Sequence, residues 1–124
     1  MGSKKIVAVL NDLMFTVKIQ EAAKRAGLEP VFVKTQEDAL RLAVDSPTVI
    51  VIDLNTNALE PLRLIDELKK GPATKHISLI GFVSHVQVEL KQAALERGCD
   101  VVMARSAFSQ NLPAILATYA ESRG

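Results

Sequence analysis

Thr48-Val49-Ile50-Val51-Ile52 is an unbroken run of β-branched residues that stops at one carboxylate, Asp53. Side chains branched at Cβ crowd a helix and suit a pleated strand. A run without polar alternation needs cover on both faces, which a parallel sheet with helices on each side provides. A strand of this length crosses a small domain, so Asp53 is expected at its carboxyl end. In open α/β sheets that edge is where ligands and chemistry collect.

The rest of the chain alternates around this segment. Ile6 to Leu10 reads as a first strand, and Asn11-Asp12 as the polar opening of a helix. Phe15, Ile19, Ala22, Ala23 and Ala26 recur at helical spacing, and Gly27 reads as a left-handed cap. Pro30 to Val33 is a short strand, placed near an edge because proline lacks an amide donor. Thr35 caps a second helix, with Leu40, Ala43 and Val44 expected to face inward before Ser46-Pro47 stops it.

After the central strand, Pro61 fits the first turn of a third helix buried through Leu62, Ile65 and Leu68. His76 to Val83 is expected as the fourth strand. Ser84 is the expected cap of a fourth helix carrying Val86, Leu90, Ala93 and Ala94 inward, ended by Gly98. Asp100 to Ala104 is the fifth strand. A last helix is expected to start near Ser109, to accept Pro113 early, and to bury Leu112, Ile115, Leu116 and Tyr119.

Five strands alternating with five helices over short connections predict one doubly wound (βα)5 domain of the flavodoxin-like α/β class. Its parallel five-stranded sheet is expected in the order 2-1-3-4-5. Residues 1–124 are read as that single domain, with 1–4 as a flexible start. A chain of 124 residues, 48% hydrophobic and 23% charged, is long enough to bury a core without disulfides or metal.

Fifteen basic against fourteen acidic side chains leave +1, so no global field recruits nucleic acid or an anionic membrane. There is no apolar run of about eighteen residues to span a bilayer. Lys4-Lys5 leads straight into a strand rather than a signal-peptide core, and Ile6 stands where a myristoylation signal after Met1-Gly2-Ser3 needs a hydroxyl. The lone Cys99 fits a reducing compartment, and the cytoplasm is the expected location.

The topology places Asn11, Asp12, Asp53, Ser84 and Arg105 at one sheet edge. Over its whole length the chain resembles the receiver domain of bacterial response regulators. In that family an aspartate ending strand 3 accepts a phosphoryl group, two acids after strand 1 help hold Mg²⁺, a hydroxyl after strand 4 contacts the phosphoryl group, and a lysine after strand 5 pairs with it. The resemblance puts Asp53 at the phosphoacceptor position.

Elsewhere the chain departs from the pattern. The acidic pair falls on Leu10 and Asn11, or on Asn11 and Asp12 after a slip of one residue. The hydroxyl position falls on Val83, with Ser84 adjacent, and the lysine position carries Arg105 followed by Ser106. Thr56-Asn57 and Glu60-Pro61 replace the family's Met-Pro and Asp-Gly. Val102 stands where a switching aromatic ring is expected. Leucine for an acid removes a hard oxygen ligand from Mg²⁺. Arginine for lysine puts a planar fork where a mobile point charge belongs, so an Arg105–Asp53 pair is expected to occupy the acceptor. Any Mg²⁺ would fall to Asp12 and Asp53.

Each of these residues also has a plainer role. Asp53 can cap a loop amide, Asp12 and Asn11 can cap a helix, and Ser84 can do the same beside His85 without forming a nucleophile pair. His76 lies at the opposite sheet edge from Asp53, and Cys99 reads as a buried small hydrophobe. Arg105-Ser106 near helix termini suits a phosphate or carboxylate, although no glycine-rich fingerprint accompanies it. Leu13, Met14 and Val17 widen the apolar surface of the first helix, and Phe108 is a further candidate contact.

The leading expectation is a stand-alone, non-enzymatic receiver-like module that docks to another signalling protein, without standard Mg²⁺-dependent phosphorylation and without a cofactor. The family resemblance implies helices 4 and 5 with strand 5 as the docking face, and a homodimer is open. One alternative is a phosphoacceptor receiver of a two-component phosphorelay using Asp53. Another is a sensor of small anions at Asn11, Asp53, Ser84 and Arg105.

Overall fold

The computed structural model describes residues 4–56, 60–84 and 87–121. The elements run β1 (Lys5–Val9), α1 (Leu13–Ala26), β2 (Glu29–Val33), α2 (Gln36–Ala43), β3 (Val49–Asp53), α3 (Pro61–Lys70), β4 (Ser78–Val83), α4 (Val88–Glu96), β5 (Val101–Ala104) and α5 (Arg105–Glu121). All strand pairs are parallel, in the order β2-β1-β3-β4-β5. The expected class and strand order are those observed. Expectations for Met1 to Ser3, Asn57, His85 and Val86 concern positions outside the described residues.

Side-chain alternation along the central strands sorts the core into two layers. Val7, Val9, Ile50 and Ile52 face α2, α3 and α4, meeting Ala39, Ala43, Leu64, Ile65, Leu68 and Ala94. Ile6, Ala8, Val49 and Val51 face α1 and α5, meeting Phe15, Ile19, Phe108, Leu112 and Leu116. Every residue of β3 is buried, which is why its sequence shows no polar alternation. Fully burying side chains of this size is worth about 1.5–3 kcal/mol each before entropy is counted.

Local signals set most of the boundaries. Asp12 caps α1, accepting the Phe15 N–H at 3.0 Å, and Thr35 caps α2, accepting from Asp38 at 3.1 Å. Gly27 ends α1 at φ +80°, a left-handed conformation that a Cβ would strain. Pro61 occupies the first turn of α3, where its missing amide costs nothing.

Several expectations are corrected. Val44 is the C-cap of α2 and is 61% exposed, because Ala39 and Ala43 already fill that helix's inward face. Leu62 is only partly buried, and Leu64 takes the fully buried place on α3. Ser84 does not cap α4: the helix begins at Val88 with Gln87 as its cap residue, and the Ser84 N–H is spent on Asn55.

Helix α5 begins at Arg105, directly after β5, rather than near Ser109. Phe108, Leu112 and Leu116 recur every fourth residue and are all buried, so the inward stripe starts before Ser109. Pro113 therefore sits inside the helix instead of near its start. Phe108 is a core residue with no exposed surface and so offers no contact to a partner.

Candidate functional site

The carboxyl edge of the sheet gathers the segment after β1, the end of β3, the end of β4 and the β5–α5 junction, as the parallel topology requires. Asp12, Asp53, Ser84 and Arg105 all lie there. Their bonding differs from the sequence expectation.

Arg105 pairs with Asp12, not with Asp53. Its Nη2 donates to Asp12 Oδ2, while Asp12 Oδ1 remains committed to the cap of α1. The guanidinium carbon lies 5.0 Å from the Phe15 ring centroid and 5.8 Å from that of Phe82. Phe82 stacks on Phe108 at 5.2 Å with 6° between planes, and Phe15 is tilted against both. A planar cation resting on aromatic rings and hydrogen-bonded to a carboxylate is held more firmly than a flexible ammonium would be. Position explains the choice of acid: Asp12 is presented by the helix whose Phe15 carries the guanidinium.

Asp53 ends β3 and is 9% exposed. Its Oδ1 accepts the Asn55 N–H at 2.9 Å, closing an Asx turn in place of an ion pair. Burial pushes its carboxyl above the ordinary value of 3.8, opposed by the Asn55 hydrogen bond and by the Arg105 charge and reinforced by the negative Asp12.

Asn55 is the residue that sequence reasoning missed. Its Oδ1 accepts the Ser84 N–H at 2.7 Å and its Nδ2 donates to Gln87 Oε1 at 2.7 Å. It thereby ties the turn after β3 to the segment between β4 and α4. The available signal was Asp53-x-Asn55 itself, two turn-forming side chains spaced for an Asx turn.

The remaining expected positions are placed as follows. Leu10 and Val83 are buried, Asn11 and Ser84 are exposed, and Val102 is buried in β5. Cys99 is buried, and burial pushes its thiol up to about 11. His76 precedes β4 at the other edge of the sheet.

This geometry sits on a known scaffold. A response regulator from Hahella chejuensis superposes with a TM-score of 0.86 at 16% identity, over 98% of each chain. The receiver domain of a sensor histidine kinase from Pseudomonas aeruginosa, solved with magnesium in its active-site cleft, gives 0.81 at 16% identity over 98% of this chain and 100% of that one. A phosphorylated cyanobacterial phytochrome response regulator gives 0.79 at 21% identity over 97% and 93%. The chain has the receiver fold. No family model matches it, and no curated protein sequence does either.

Receiver domains hold a divalent cation between acids at this edge, and the residues here do not fit that cation. Asp12 is occupied by Arg105 and by its own helix cap, and Asp53 Oδ1 is turned onto the Asn55 amide. Among the described residues no group of three His, Cys, Asp or Glu side chains could share a metal ion. Mg²⁺ needs near-octahedral oxygen coordination, and this edge of the sheet offers a guanidinium instead.

No helix among the described residues is long and apolar enough to cross a membrane.

Proposed function

We propose that this chain is a receiver-like signalling domain that acts by docking to another protein, in a conformation set without phosphoryl transfer. The observation that carries the reading is the Arg105–Asp12 pair. A fixed internal cation takes up the acid that a metal would use, and it rests on the aromatic core instead of moving with a ligand. The Asx turn at Asp53 supports the same reading, because attack on phosphorus needs a free, in-line carboxylate oxygen beside a metal.

The docking face proposed is α4 with β5 and α5. Val88 and Leu95 on α4 and Val101 on β5 are 68%, 38% and 40% exposed, which gives this face apolar content on offer.

The test is incubation of the full chain with acetyl phosphate and Mg²⁺, followed by intact mass measurement. Unchanged mass is expected. An acid-labile phosphate adduct that disappears in Asp53→Asn overturns the reading.

A further inference from the structure

A cleft of about 500 Å³ opens between the first turns of α1 and α5, beside the Arg105–Asp12 pair. Volumes in this range suit small ligands. One wall is apolar, made by Phe15 and by Met14, whose side chain belongs to a residue 75% exposed. Its polar lining comes from Lys18 on the same helix and from Arg105, Ser109 and Gln110 on α5.

Charge across the cleft is unbalanced. Asp12 is its acid, and Arg105 already neutralises it. Lys18 has no acidic partner among the described residues; its Nζ donates to the neutral Ser109 Oγ at 3.0 Å. One positive charge is therefore left at the mouth, held toward α5 by that hydrogen bond. Arg105 is held still by Phe15, Phe82 and Asp12, and a guanidinium with five N–H groups keeps donors to spare after one such bond. Two oriented cations above an apolar wall match a ligand with an oxyanion at one end and a hydrocarbon body at the other.

We propose that the α1–α5 cleft binds a small organic oxyanion, its charged end between Lys18 and Arg105 and its apolar body against Met14 and Phe15. The cleft shares α5 with the proposed docking face but uses none of that face's exposed apolar residues on α4 and β5, so the ligand titration and the docking reading can fail separately.

Phenylphosphonate is the probe, titrated into the ¹⁵N-labelled full chain and followed by amide chemical shifts. Saturable shifts are expected at Phe15, Lys18, Ser106 and Ser109. Lys18→Met, at an exposed helix position, is expected to weaken binding about tenfold, the loss typical of one charge-assisted hydrogen bond. Lys24→Met, in the last turn of the same helix, serves as the charge control and is expected to bind as the original does. Inorganic phosphate is expected to bind at least about tenfold more weakly, lacking the apolar contact. The proposal is overturned by shifts that do not saturate, by saturable shifts confined to other amides, by undiminished binding in Lys18→Met, by equal loss in Lys24→Met, or by inorganic phosphate binding as well as phenylphosphonate.

Discussion

Arg105 and Asp12 form an ion pair that joins the first residue of α5 to the cap of α1, with the guanidinium seated on Phe15. Both side chains are about one-third exposed, so solvent screens their attraction. The aromatic contact and the shared helix cap make the pair more than a surface bridge.

Removing that cation should give the site back to metal. In Arg105→Ala, Asp12 Oδ2 is released near Asp53, and Mn²⁺ is expected to bind about tenfold more tightly than to the unaltered chain. Paramagnetic broadening of the Asp12, Asp53 and Asn55 amides measures it. The same variant is expected to lose about 1–2 kcal/mol in urea unfolding, the sum of a screened pair and a cation–π contact. Equal Mn²⁺ affinity in both proteins would show that the pair does not block the site.

Asp53 carries a pH dependence of definite sign. Its folded-state affinity for the proton lies above the ordinary 3.8, chiefly through burial. The folded state therefore binds more protons than the unfolded chain across that window. The stability contributed by Asp53 is present below 3.8 and is lost as pH rises through the folded value. Asp53→Asn keeps an oxygen for the Asn55 amide without the buried charge. It is expected to raise Tm by about 2–5 °C at pH 7, with the gain closing as pH falls below the ordinary carboxylate value. Calorimetry from pH 3 to 7 checks it, and a lowered Tm at pH 7 refutes it.

Asn55→Ala should loosen the link between the turn after β3 and the start of α4. Two side-chain hydrogen bonds of 2.7 Å are lost, at a cost of about 1–2 kcal/mol given their partial exposure. Amide exchange at Ser84 is expected to accelerate selectively, while β1 and β2 amides keep their relative order of protection. A uniform acceleration across the sheet would mean that Asn55 only adds global stability.

Phe108→Ala tests the aromatic floor. The ring is fully buried between Phe15 and Phe82, so truncation is expected to cost about 3–5 kcal/mol, with Phe108→Leu costing less. Denaturant unfolding reads both. A near-neutral Phe108→Ala would mean that the site's floor is formed without it.

The fold was legible because its signals are local and agree with one another. The apolar run Val49–Ile52 suits a doubly covered sheet, and Asp12, Thr35, Gly27 and Pro61 mark helix ends by chemistry that acts within four residues. The α5 boundary was misread because Pro113 suggests a helix start, whereas burial of Phe108 extends the helix backward. The site was legible as a set of residues and not as a set of bonds. Whether Arg105 meets Asp12 or Asp53 depends on where Phe15 supports the guanidinium, a contact between positions 90 apart that no spacing encodes. Asn55 was missed for a related reason: its partners, Ser84 and Gln87, come near only once β3 and β4 pair.

Helix α5 follows β5 with no intervening residue, and Arg105 is its first member. A connecting loop would absorb a small displacement at the guanidinium, but here there is no slack. At 17 residues the helix is a rod of about 25 Å, fixed at its start by the grip on Asp12 and along its length by the buried Phe108, Leu112 and Leu116. The grip on Asp12 therefore sets where that rod begins, and with it the line of the flank that α5 lays along the sheet.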